Sequence, residues 1–165
     1  MVSLIRCDDR MMHGQCIIGI IKDYQIERII GVDDFTANNS ALKAIYEEAT
    51  PQYVDGGVYS EEGALHEIAK CKGGYENTLI LVKSPQTALR LYLEADDLPK
   101  ELNIGPMSSR KNTRKATKYA YLSDEEIMSI EQMSQMGVRV YFNQAPGEGT
   151  DEWLSIREKL KDSIT

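Results

Sequence analysis

Val2-Ser3-Leu4-Ile5 runs into Arg6-Cys7-Asp8-Asp9-Arg10-Met11-Met12-His13-Gly14-Gln15, and Cys16-Ile17-Ile18-Gly19-Ile20-Ile21 follows. An apolar run breaks into a charged stretch, and a second apolar segment begins after it. This reads as strand, exposed loop, helix. In an open α/β sheet, ligands bind in the loops beyond the carboxyl ends of the strands. A helix that opens there offers backbone N–H groups to an anion. His13 stands at that junction.

Near neutral pH an imidazole is available as nucleophile, base or metal ligand. Arg6 and Arg10 lie within seven residues of His13. Guanidinium groups match the planar faces of phosphate and carboxylate, whereas a plain proton shuttle is more often flanked by carboxylates or hydroxyls. The combination points to a phosphorylated histidine. The competing reading is a capped helix start beside a solvated, self-paired charge cluster.

Outward from this stretch, Cys16 to Tyr24 is the first predicted helix, and Arg28-Ile29-Ile30-Gly31-Val32 is a short buried strand closed by Asp33-Asp34. Thr36 is expected to cap a helix through Ala49 that Pro51 stops; Tyr53 to Tyr59 is a weaker strand, and Ser60 opens a helix to Lys70. Thr78-Leu79-Ile80-Leu81-Val82 is the clearest buried strand, followed by Lys83-Ser84-Pro85, where serine can cap and proline can occupy the first helical turn. Leu102–Gly105, Lys118–Leu122 and Val138–Phe142 read as further strands, Ser123-Asp124-Glu125-Glu126 as a capping box opening a helix to Gln135, and Trp153–Leu160 as a terminal helix. Strands alternating with helices predict a single α/β domain over residues 1–165: a mostly parallel, doubly wound sheet of about six or seven strands with helices on both faces. The loops 6–15, 33–39 and 83–86 then share one edge, so Asp33, Asp34, Lys83 and Ser84 are neighbouring-loop candidates for the His13 site.

The chain has 165 residues with 19 basic and 26 acidic ones, for a formal net charge of −7. That balance argues against a general nucleic-acid binder and against attachment to anionic lipid, and favours proteins or small molecules as partners. No stretch approaches eighteen uninterrupted apolar residues, and no basic segment with a long apolar run opens the sequence; the expectation is a cytoplasmic protein. Cys7, Cys16 and Cys71 form no C-x-x-C pair, which fits reduced thiols. Neither a metal nor another cofactor is expected, since Cys7, His13 and Cys16 match none of the usual zinc spacings.

The stretch Arg6-x-Asp8-Asp9-Arg10-x-x-His13-Gly14-Gln15 closely resembles the hallmark R-x-D-D-R-x-x-H-G-Q of the IIB components of the mannose/fructose/sorbose type of the bacterial sugar phosphotransferase system. The likeness continues through Val32-Asp33-Asp34 with Ala37-Asn38, Val82-Lys83-Ser84-Pro85, Asn103-Ile104-Gly105 with Met107, and Gly137-Val138. It departs at Asn38-Asn39, where the family often has Asn-Asp, and at Gly105-Pro106, where it often has Gly-Gly. The resemblance implies a seven-stranded α/β sheet and a transferase of phosphorus-containing groups. A phosphohistidine on a IIA phosphocarrier would pass its phosphoryl group to His13. That histidine would in turn phosphorylate a hexose-type sugar entering through the membrane IIC/IID components, with which the protein would associate transiently. Arg10 is the implied phosphate clamp; Arg6, Asp8, Asp9, Gly14 and Gln15 are implied loop-shaping or phosphate-binding groups. The alternative is an anion-binding regulatory or non-catalytic homologue of the same fold, and a homodimer stays open.

Other candidates have plainer readings. His66 reads as a helix-surface histidine. The methionines, Met11 and Met12 among them, read most simply as adaptable apolar filler; the place of these two in the loop leaves an apolar docking surface as the alternative. The segment 108–118, with Arg110, Lys111, Arg114, Lys115 and Lys118, is expected to be a solvated loop, the alternative being a docking patch for an acidic partner or for phosphate.

Overall fold

The computed structural model describes residues 1–145 and 147–163. Its strands are β1 (Val2–Cys7), β2 (Arg28–Val32), β3 (Asp55–Tyr59), β4 (Thr78–Val82), β5 (Glu101–Ile104), β6 (Thr113–Lys115), β7 (Tyr121–Ser123), β8 (Arg139–Phe142) and β9 (Asp151–Glu152). Between them run α1 (Gly14–Tyr24), α2 (Asp34–Ala37), α3 (Ser40–Glu48), α4 (Glu61–Lys70), α5 (Pro85–Glu94) and α6 (Asp124–Gln135), with α7 (Trp153–Ile156) after β9.

Seven strands form one sheet in the order β3-β2-β4-β1-β5-β8-β9, parallel except for β9. The centre is apolar on both faces because β4 is buried along its whole length and β1 over its last four residues. α1 buries Ile17, Ile20 and Ile21 against one face, with Leu4, Ile29, Leu79 and Leu81 beneath them. α4, α5, α6 and α7 cover the other face over Ile5, Ile30, Ile80, Val82 and Ile104. After β1 the chain turns toward β2 on one side; after β5 it moves toward β8 on the other. The β1/β5 boundary is therefore the topological switch point, where an open α/β sheet leaves a crevice at the strands' carboxyl ends.

Four expectations differ from the structure. Thr36 is buried and caps nothing: the Asp33 carboxylate caps α2, accepting from the Thr36 N–H at 3.0 Å and its hydroxyl at 2.6 Å. A second cap, Asn39, then starts α3 by accepting from the Leu42 N–H at 3.1 Å, so one predicted helix is two. The carboxylate of Asp33 and the amide of Asn39 outcompete a hydroxyl for first-turn N–H groups. Residues 118–122 supply no strand to the main sheet; β6 and β7 form a separate antiparallel pair, which gives the basic segment regular structure. The terminal helix is α7 followed by a 3₁₀ stretch, Arg157–Ser163.

Candidate active site

β1 delivers the charged loop to the carboxyl edge of the sheet. The Asp8 N–H still donates to the Val82 carbonyl at 3.0 Å, as though extending the strand, and the Asp8 carbonyl then accepts from the Met11 N–H at 3.0 Å to close a turn. Met11 has φ +52°, a left-handed conformation uncommon outside glycine. Burial offsets that strain: Met11 and Met12 are 2% and 3% exposed and lie in the apolar cluster under α1. They anchor the loop from below as apolar filler, and the alternative of an exposed docking surface does not hold.

The two arginines have opposite environments. Arg6 is 1% exposed. Its guanidinium donates to the Asn103 side chain, to Asn143 Oδ1 at 3.1 Å and to the Gln144 carbonyl at 2.9 Å. Arg10 has a side chain 39% exposed and is held by Asp8, which takes its backbone N–H at 3.0 Å, its Nε at 3.3 Å and its Nη2 at 3.4 Å. The hydrogen bond to the Asp8 carboxylate raises the Arg10 pKa above its ordinary value and keeps the guanidinium charged. Asp8 itself is 3% exposed and also lies 3.6 Å from Arg6 Nη2, so one buried carboxylate serves both cations. Asp9 points the other way, accepting from the Ser108 N–H at 2.7 Å.

His13 is the exposed N-cap residue of α1, with extended backbone at φ −133° and ψ 116°. No side chain caps this helix. Gly14 follows at φ +51°, a turn that any side chain would strain. Glycine here lets the chain swing from the loop into the helix, whose first-turn N–H groups, those of Gly14, Gln15 and Cys16, have no side-chain cap. His13 and Arg10 line an open cavity of about 550 Å³ together with Gln15, Cys16, Asp23, Gln144 and Glu148. The arrangement sets an exposed imidazole beside a charged guanidinium and an uncapped helix end, the components of an anion site with a nucleophile in it.

The structure brings some predicted residues together and separates others. Lys83 lies 3.6 Å from Asp33 and 5.4 Å from the Tyr46 ring centre; Asp34 accepts from the Glu61 N–H at 2.8 Å; Ser84 caps α5. These four share the carboxyl edge but are satisfied by one another or by helix starts, Asp34 by that of α4, and none lines the His13 cavity. Asp23, Gln144 and Glu148 do, and sequence reasoning missed them. The signal was available. Asp23 recurs at helical spacing from Cys16 and Gly19, and the loop after the strand ending at Phe142 is a carboxyl-edge loop like the three chosen. His66 is exposed on α4 and does not line this cavity.

The family model described as PTS system sorbose subfamily IIB component, where PTS is the phosphotransferase system, matches residues 2–163. The chain is 26% identical to the PTS system fructose-specific EIIB component of Bacillus subtilis over 155 residues, covering 94% of each chain. It is also 26% identical to the PTS system sorbose-specific EIIB component of Klebsiella pneumoniae over 162 residues, 98% of this chain and 96% of that one. The crystal structure of the IIBSor domain of the sorbose permease from the same organism superposes with a TM-score of 0.89 at 23% identity, covering 96% of this chain and 97% of that one.

Proposed function

The chain belongs to the sorbose subfamily of phosphotransferase-system IIB components, and from that premise we propose that His13 is its phosphoryl carrier. A sugar phosphotransferase of this type needs a group that takes a phosphoryl from one protein and gives it to a sugar. His13 accepts it from the phosphohistidine of a IIA phosphocarrier and passes it to a hexose-type sugar presented by the membrane IIC/IID components. The observation that carries this reading is the pairing of an exposed imidazole with a helix end that no side chain caps. On this reading the protein meets its permease transiently; among the described residues no helix is long and apolar enough to cross a membrane.

Phosphoryl transfer asks for an in-line nucleophile and for charge stabilisation on three equatorial oxygens. One nitrogen of the neutral His13 ring attacks phosphorus as the P–N bond to the donor imidazole breaks. The donor ring regains a proton and the acceptor ring gives one up, so the exchange is balanced. Arg10 and the N–H groups of Gly14, Gln15 and Cys16 hold the oxygens. Asp8 keeps the Arg10 fork aimed, while Asp9 and Arg6 secure the loop from either side.

Incubation with phosphoenolpyruvate and the general phosphocarrier proteins plus IIA, followed by intact mass and fragmentation, tests the proposal. One acid-labile phosphate should appear and map to His13. Phosphate on His66 or a cysteine, or undiminished uptake by His13→Ala, would sink it. A protein that takes up no phosphate but binds phosphate ion would instead fit the anion-binding reading.

A further inference from the structure

We infer that Arg6 is a positioning residue, whose buried guanidinium clamps the loop after β8 against the first turn of α1 and so fixes that wall of the His13 cavity. The inference rests on His13 being the phosphoryl acceptor. Arg6 Nη1 reaches Asn103 on β5 and Asn143 Oδ1 at 3.1 Å; Nη2 reaches the Gln144 carbonyl at 2.9 Å and Cys16 Sγ at 3.5 Å. The parts reinforce one another. Asn103 Nδ2 donates to Asn143 Oδ1 at 3.0 Å, and Cys16 Sγ lies 3.8 Å from the same Gln144 carbonyl.

Two of these partners, Cys16 and Gln144, are neighbours that line the His13 cavity, while Arg6 itself lines none of it. Its fork thus sets a spacing between groups that it does not join in chemistry. The backbone has been shaped to admit it. A Cβ on Gly105 would collide with the guanidinium, so this position must stay bare for the fork to lie flat between β5 and the loop. A planar fork with several fixed donors can hold β5, α1 and the loop in one register, which a lysine ammonium on a flexible stem cannot do. In-line transfer is sensitive to such spacing, because a misplacement of about 1 Å can cost on the order of a hundredfold in rate.

The test uses phosphoramidate as donor, whose P–N bond breaks with release of ammonia as the bond to the His13 ring forms. It needs no protein docking, so its rate reports on the site alone. Arg6→Lys and Gly105→Ala are compared with the unmodified chain, with folding checked by circular dichroism and thermal melting. Each should slow phosphorylation of folded protein about ten- to a hundredfold. Gly105→Ala keeps every charge and carries the test alone if Arg6→Lys does not fold. Where both fold, the double variant should be no slower than Arg6→Lys, because both changes act through one guanidinium. Unaltered rates in folded Arg6→Lys and Gly105→Ala, or rate losses that multiply in the double variant, would overturn the inference. His13→Ala in the same assay separates the two ideas: phosphate retained there overturns the His13 reading itself.

Discussion

The amino termini of α1 and α6 are built in opposite ways. At α6 everything closes on itself: Ser123 accepts from the Glu126 N–H at 3.2 Å, and Glu126 accepts from the Ser123 N–H at 2.8 Å. Arg110 then lays two 2.9 Å hydrogen bonds on the same carboxylate, which is 3% exposed. At α1 the cap position carries a histidine that bonds to nothing in the helix, followed by a glycine with positive φ. This is not a general looseness of the chain, which caps α2, α3, α4 and α5 with Asp33, Asn39, Ser60 and Ser84. Leaving a cap out costs about 1 kcal/mol. At α1 that cost leaves N–H groups for an anion beside Arg10; at α6 the cap hydroxyl and the Glu126 carboxylate are already engaged. A self-satisfied helix end reads as structure; the unsatisfied one beside an exposed imidazole is where we propose the phosphoryl carrier.

Closing α1 should therefore break the function and gain stability. His13→Ser installs a capping hydroxyl in place of the proposed nucleophile. Phosphate uptake, followed by intact mass, should vanish completely, while denaturant unfolding should show a gain of about 0.5–1 kcal/mol. A variant that loses uptake and stability together would mean that His13 also packs structurally, contrary to its exposure.

Arg10 sharpens the contrast from the charge side. Arg10→Ala keeps the acceptor and should slow transfer about a hundredfold, matching roughly 3 kcal/mol of transition-state stabilisation from one clamp. Arg10→Lys should recover only part of it, being a point charge without the fork. Rapid-quench measurement of phospho-His13 checks both; equal rates for alanine and arginine would remove Arg10 from the site.

Opening α6 is the reciprocal change. Ser123→Ala should cost about 1 kcal/mol, seen as a fall of roughly 2–4 °C in melting temperature for a chain of this size. Phosphorylation of His13 should stay within about twofold of normal. A large loss of transfer there would show that the two helix ends are coupled.

Much of this contrast is legible in the sequence, because it is local. The capping box at Ser123, the Ser84-Pro85 helix start and the alternation of short apolar runs with helical segments need only near neighbours to be read. The His13 loop is legible for the same reason. What could not be read is what depends on packing across the sheet. Arg6 and Arg10 look alike in the chain, four residues apart, and only the register of β1 with β5 buries one while leaving the other half exposed. Met11 and Met12, in a charged loop, left filler and docking surface both open, and only the left-handed turn that folds them inward decides for filler. The wall at Gln144 and Glu148 lies over 120 residues from His13 in sequence; only the strand order brings it near.

The smallest effect concerns the basic segment, which contains both kinds of residue. Arg110 belongs to the closed end of α6 through Glu126, and Arg114 lies 3.2 Å from Asp124. Replacing them would test stability as much as recognition. Lys111 and Lys115 are exposed and make no ion pair among the described residues. The hydrogen bond from the Ser108 N–H to Asp9 ties the start of their segment to the His13 loop, so their field reaches a partner docking there. Exposed rim charges act mainly on association, and screening shortens their reach from about 30 Å at 0.01 M salt to 3 Å at 1 M. Lys111→Ser with Lys115→Ser should thus slow phosphoryl exchange with phospho-IIA about two- to threefold at low salt, converging with the unmodified chain at high salt. Phosphoramidate, which needs no docking, should react with both proteins within about twofold of the same rate at every salt concentration. A deficit that persists at 1 M salt, or that appears with phosphoramidate, would assign the two lysines to the site rather than to its rim.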